Sequence, residues 1–140
     1  MTGPQSCQGH IATVIDVERM RREARTLAAA AGCDHRDAET VALAVSELAA
    51  NLMHHAPGGE IVVSVTAEAD GVAIAVESRD AGPGIANVEL ALHDGFSTRG
   101  GLGSGLPAVR RLLADFTIAT GPGGTTIRGC KRCANRSPSP

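Results

Sequence analysis

The 140-residue chain is poor in aromatic residues: there is no Trp and no Tyr, and the two Phe are Phe96 and Phe116. A core must therefore be assembled from Ala, Val, Leu and Ile. The stacking platforms on which single-stranded nucleic acid is bound are missing as well. A large excess of charge of either sign is also lacking. The formal net charge is −2, so no basic field draws the chain to DNA or to an anionic bilayer. No apolar run approaches the roughly 20 residues that cross a membrane. Met1-Thr2-Gly3-Pro4-Gln5 has no basic start leading into an apolar segment, and the expectation is a cytoplasmic protein with neither nucleic acid nor membrane as partner.

Cysteine is limited to Cys7, Cys33, Cys130 and Cys133. Cys130-Lys131-Arg132-Cys133 has C-x-x-C spacing, and Cys7-Gln8-Gly9-His10 has C-x-x-H spacing. A zinc-binding structural protein built on these four ligands is a rival reading. No second C-x-x-C exists and both pairs lie near the termini, so ordinary reduced thiols are expected.

What the chain does have is glycine, in two clusters. Asp80-Ala81-Gly82-Pro83-Gly84-Ile85 places a carboxylate before a bend. Gly100-Gly101-Leu102-Gly103-Ser104-Gly105-Leu106 opens a helical pattern. A glycine loop at a helix start presents free N–H groups and the positive dipole end to an anion. Neither the Rossmann nor the Walker spacing is present.

In chain order, residues 1–9 read as a loose N-terminus and His10–Ile15 as an edge strand. A helix follows with Asp16 as N-cap. Its apolar stripe is Val17, Met20, Ala24, Leu27, Ala28 and Ala31, and Gly32 ends it. Asp34 caps a second helix from about Arg36 to His54. That helix is apolar over most of its circumference (Val41, Leu43, Ala44, Val45, Leu48, Ala49, Leu52, Met53) and is expected to be deeply buried. Glu47, Asn51 and His55 share one stripe of it at i, i+4, i+8. Strands follow at Glu60–Glu68 and Val72–Ser78, joined at Ala69-Asp70-Gly71. One or two helical turns lie within Asn87–His93, and Asp94–Arg99 reads as a mobile lid. A helix spans Leu106–Asp115 with Pro107 in its first turn, and strands follow at Phe116–Thr120 and Thr125–Arg128. Ala134–Pro140 reads as a polar tail. The order β-α-α-β-β-α-β-β predicts an α+β fold, a two-layer α/β sandwich with helices on one face of a mixed, mostly antiparallel sheet.

Glu47-Leu48-Ala49-Ala50-Asn51 resembles the N box of the GHKL ATPase/kinase superfamily. Asp80–Ile85 resembles its first glycine box, Gly101–Leu106 its second, and Gly123-Gly124-Thr125-Thr126 its final glycine turn. The four boxes come in register over about His10 to Arg128. The single-domain size is like the anti-sigma-factor serine kinases. The runs ELAANLMHHAPGGEI and DAGPGIANVELALHDGFSTRGGLGSGLPAVRRLLADF are similar to RsbT-like switch kinases of the stress-signalling assemblies called stressosomes. The expected ATP-binding kinase domain is 10–133, with 1–9 and 134–140 flexible.

This resemblance implies a fold of the Bergerat ATP-binding type and a set of site residues. Asn51, with Glu47 through water, would hold Mg²⁺. Glu47 would be the general base. Asp80 would read the exocyclic amine of adenine, with Gly82, Gly84 and Ile85 at the base. Gly101, Leu102, Gly103, Ser104, Gly105 and Leu106 would close over the phosphates of ATP. Thr98 and Arg99 would contact phosphate, and Thr125 would fix the adenine end. Ser104 stands where Ala is expected and His55 where an aromatic is common; neither is expected to alter function. The implied activity is ATP- and Mg-dependent serine/threonine phosphorylation of STAS-domain proteins in partner switching. The alternative is a binding module, either an anti-sigma factor holding a sigma factor or an activator of a metal-dependent serine phosphatase, with nucleotide tuning affinity.

Overall fold

The computed structural model describes residues 5–56, 58–85, 87–92 and 105–134. Five strands form one sheet in the order β1-β2-β3-β5-β4. These are β1 (Ser6–Ile11), β2 (Gly59–Glu68), β3 (Gly71–Asp80), β4 (Ala114–Gly121) and β5 (Gly124–Ala134). Every neighbouring pair is antiparallel, so the sheet is not mixed as the sequence reading expected. Among the described residues, four helices accompany it: α1 (Val14–Ala31), α2 (His35–His55), the single turn α3 (Val88–Ala91) and α4 (Gly105–Leu112).

The sheet's register sorts its side chains by face. Ile61, Val63, Ile74, Val76 and Ile127 are buried and join Met20, Val45, Leu48, Leu52 and Val109 of the helices in one core. The opposite face is polar and laced with ion pairs, as on a sheet open to water on one side. Arg128 pairs with Glu77 at 3.0 Å. Arg132 pairs with Asp115 at 2.9 Å and with Glu68 at 3.5 Å.

Several boundaries differ from the sequence reading. β1 begins at Ser6, within the stretch read as loose, and ends at Ile11, before Ala12–Ile15. Asp16 is not the N-cap of α1: Thr13 occupies that position, and Asp16 lies in the first turn. Its Oδ2 accepts from the N–H of Ala12 at 2.9 Å and of Thr13 at 3.0 Å. A carboxylate three residues inside the helix thus satisfies donors that precede it. Asp34 caps α2 as expected, accepting from Asp37 N at 2.8 Å. α2 is not buried all round, because Leu43 is 48% exposed. α4 ends at Leu112 and not at Asp115, which belongs to β4 and has φ +54°.

The largest correction concerns β5, which runs to Ala134 and not to Arg128. Cys130 and Cys133 are therefore strand residues, and a spacing of three sends them to opposite faces. Cys133 forms a disulfide with Cys33, with Cα atoms 5.2 Å apart. The expectation of four reduced thiols fails here, as does the zinc site. Cys7 sits on β1, three strand spacings or roughly 14 Å from β5, and no metal-binding cluster exists among the described residues. Burial, with Glu23 nearby, pushes the Cys7 thiol up to about 11, so it stays protonated and unreactive.

Candidate functional site

The site is assembled along α2. Glu47 and Asn51 are half-buried, one turn apart on the same stripe of α2, beside the buried Leu48, Ala49 and Leu52. At Glu47 the neighbour is the start of α4: the Glu47 Oε1 lies 3.6 Å from where a β-carbon on Gly105 would stand. Leu106 and Val109 are buried in the core, which holds the first residue of α4 beside Glu47. α2 continues to its C-cap, Ala56. Ala56 lies 3.6 Å from where a β-carbon on Gly82 would stand, in the bend that follows β3. The helix rises about 1.5 Å per residue, so roughly 13 Å of axis separate Glu47 from Ala56. One helix therefore joins the start of α4 to the carboxylate-bearing bend after β3.

The bend is held from three sides. Asp80, the last residue of β3, turns its Oδ1 back to accept from Gly82 N at 2.8 Å, which leaves Oδ2 for a ligand. Gly59 fits between Leu52 and the end of β3, where an added β-carbon would stand 2.8 Å from the Arg79 carbonyl oxygen. Gly84, at φ +87°, lies so close to the β4–β5 hairpin that a β-carbon would stand 2.3 Å from the Gly121 carbonyl oxygen. Glycine is required there on both counts.

Thr125 pairs with Asp80 across the β3–β5 ladder and is 6% exposed. Its Oγ1 lies 2.8 Å from Thr120 Oγ1, and Thr120 Oγ1 in turn accepts from Ile85 N at 2.8 Å. Thr120 was not singled out in the sequence. Its only signal there is its place at the end of β4 opposite Thr125, which becomes visible once the β4–β5 register is known.

The structure thus sets Gly105 beside Glu47 and groups Asp80, Gly82, Gly84, Ile85 and Thr125 around the bend after β3; Asn51 lies one turn from Glu47 on α2, and Leu106 is buried in the core. Thr98, Arg99, Gly101, Leu102, Gly103 and Ser104, with the lid expected at Asp94–Arg99, lie outside the described residues. His55 is exposed at the end of α2, in keeping with a surface residue.

Comparison with known proteins gives the class. Residues 11–131 match the histidine kinase-like ATPase domain, and the chain belongs to that family. Within it the chain is RsbT-like. It is 37% identical over 128 residues to the serine/threonine-protein kinase RsbT of Bacillus subtilis, covering 91% of this chain and 96% of that one. With such a relative, the enzyme class is that of a serine/threonine-protein kinase with an ATP-binding domain. The fold is shared with the crystal structure of the RsbU and RsbW domains of a Mycobacterium tuberculosis protein, at TM-score 0.66 and 23% identity. That match covers 96% of this chain but 34% of the mycobacterial one. A blue-light-activated histidine kinase of Erythrobacter litoralis shares the fold more distantly, at TM-score 0.51 and 16% identity over 85% of this chain and 60% of that one. Among the described residues, no helix is long and apolar enough to cross a membrane.

Proposed function

We propose that this chain transfers the γ-phosphoryl group of Mg-ATP to a serine or threonine of a STAS-domain protein and so controls partner switching in stress or sigma-factor signalling. The observation that carries the reading is the placement of Glu47 against the first residue of α4, with Asp80 at the other end of the same helix. The donor chemistry suits both groups. The carboxylate of Glu47 and the amide oxygen of Asn51 are hard oxygen ligands of the kind Mg²⁺ prefers. Asp80 keeps one carboxylate oxygen for an exocyclic amine, which adenine has at that ring position and guanine lacks.

Bound Mg-ATP supplies the phosphoryl group, and the chain's own residues do the rest. With Mg-ATP bound, Glu47 would accept the proton of the attacking hydroxyl and Asn51 would hold the metal. The N-terminus of α4, at Gly105 and Leu106, would offer the phosphates the positive dipole end and first-turn N–H groups. By the family resemblance, Thr98, Arg99 and the run Gly101-Leu102-Gly103-Ser104 would be the further phosphate contacts. Thr125 joins Asp80 at the base, with Gly82, Gly84 and Ile85 letting backbone pass close to the ring. Transfer places about two negative charges on the partner, enough to break or shift a complex.

A second reading is a binding module that holds a sigma factor or switches on a metal-dependent serine phosphatase, with nucleotide tuning its affinity. It draws support from the mycobacterial chain, in which a domain of this fold is joined to another. One experiment separates the two: radiolabel transfer from ATP to a candidate STAS partner by wild type and Glu47→Gln. The kinase reading expects transfer by wild type, with a loss of about 10²-fold or more in the variant and ATP binding retained. Absence of transfer from wild type that binds ATP, together with co-purification of a sigma factor or phosphatase, would favour the binding module.

A further inference from the structure

We propose that Thr120, at the end of β4, is a positioning and specificity-determining residue for the nucleobase. The proposal deepens the ATP reading above and rests on it. Two contacts converge on one oxygen. Thr120 Oγ1 accepts from the backbone N–H of Ile85 at 2.8 Å. The same oxygen lies 2.8 Å from Thr125 Oγ1. The first contact links residues 35 apart in sequence and stitches the end of the Asp80–Ile85 bend to the β4–β5 hairpin. The second fixes the hydroxyl of the residue paired with Asp80. Thr120 therefore stands behind both groups that read the base without touching the base itself.

The hydrogen-bond inventory gives this arrangement a direction. A threonine hydroxyl has one proton and two acceptor positions. On Thr120, Ile85 N–H takes one acceptor position. When Thr120 donates its own proton to Thr125, the Thr125 proton is left free for a ring nitrogen or for Asp80. When the Thr120 hydroxyl is missing, Thr125 becomes a free rotor and Ile85 N–H loses its partner. Both losses fall on recognition of the ring edge, and neither falls on Glu47, Asn51 or α4 at the phosphate end. Gly84 belongs to the same joint, since a β-carbon there would stand 3.1 Å from Thr120 Oγ1.

The test compares Thr120→Val, which keeps the shape and removes the hydroxyl, with Thr120→Ser, which keeps the hydroxyl. Affinities for Mg-ATP and Mg-GTP are measured by titration calorimetry on the full chain, together with hydrogen exchange of the Ile85 amide without nucleotide. Thr120→Val is expected to weaken ATP binding about tenfold with little change for GTP, so that base preference shrinks by a similar factor. It is also expected to speed Ile85 exchange. Thr120→Ser should restore both. Equal weakening for ATP and GTP would show a merely structural residue and overturn the proposal, as would a Thr120→Val protein with wild-type selectivity. Should wild type bind no ATP, the functional reading fails on its own; the Ile85 exchange rate still reports whether Thr120 holds the bend.

Discussion

In the proposed reading, base selection turns on Asp80. One carboxylate oxygen is committed to Gly82 N–H and the other is available. Asp80→Asn keeps the size but replaces one acceptor oxygen with a donor, which would oppose the amine of adenine. ATP affinity is expected to fall roughly 10- to 100-fold, the worth of a hydrogen bond to a charged group, while the fold is retained. Calorimetry with Mg-ATP and Mg-GTP on wild type and variant checks this; a variant with wild-type ATP affinity would remove Asp80 from base recognition. The legible part of the site was legible because Glu47, Asn51 and Asp80 are polar residues in apolar or glycine-rich settings. Thr120 was not, because a threonine near a strand end is common and its role exists only through contacts to Ile85 and Thr125. Cys33 was equally opaque, since its partner Cys133 lies 100 residues away and nothing local marks the pair.

Among the elements, the β4–β5 hairpin does more than close the sheet. Gly124, at φ +141°, fits against β3 so closely that a β-carbon would stand 2.1 Å from the Asp80 carbonyl oxygen. Gly124→Ala should destabilise the protein by about 2–4 kcal/mol, combining positive φ with a backbone clash. Chemical denaturation checks the figure, and an unchanged midpoint would mean that the hairpin does not sit against Asp80. At the other end of the chain, the donors at Ala12 and then Thr13 hold the Asp16 carboxyl below its ordinary value. A depressed folded-state value means that the start of α1 gains stability above the ordinary carboxylate range and loses it as pH falls through the lowered value. Unfolding followed from pH 5 to pH 2 should therefore show a smaller acid-induced loss in Asp16→Asn than in wild type; identical pH dependence would contradict the contact.

The helices were mostly readable from period and caps, with Gly32 and Asp34 marking the α1–α2 junction. Strand ends were less so. β5 alternates past Arg128 through Cys130 and Arg132, exposed-side residues that resemble a tail unless their cross-strand partners on β3 are known. That misreading hid the fact that Cys130 and Cys133 face opposite ways.

For the whole molecule, two links fasten the α1–α2 junction to the far end of β5. One is the Cys33–Cys133 disulfide; the other is the ion pair of Lys131 with Asp37 at 3.6 Å. A disulfide closing a loop of that length stabilises by roughly 2–5 kcal/mol, by restricting the unfolded chain. A cavity of about 260 Å³ bordered by Gly32, Val72 and Cys133 lies beside it. Cys133→Ser, or wild type held in dithiothreitol, should lose about 10 °C in melting temperature. The two should agree. A wild type unaffected by reductant, while the variant is destabilised, would point to packing and not to the bond.

The central claim is that α2, the Asp80 bend, the α4 start and the β4–β5 hairpin form a site for Mg-ATP. Calorimetric titration of the purified chain with Mg-ATP, with Mg-GTP as the competitor of interest, tests it most directly. The account predicts saturable one-site binding of Mg-ATP and much weaker binding of Mg-GTP. Absence of Mg-ATP binding, or equal binding of the two nucleotides, would contradict it.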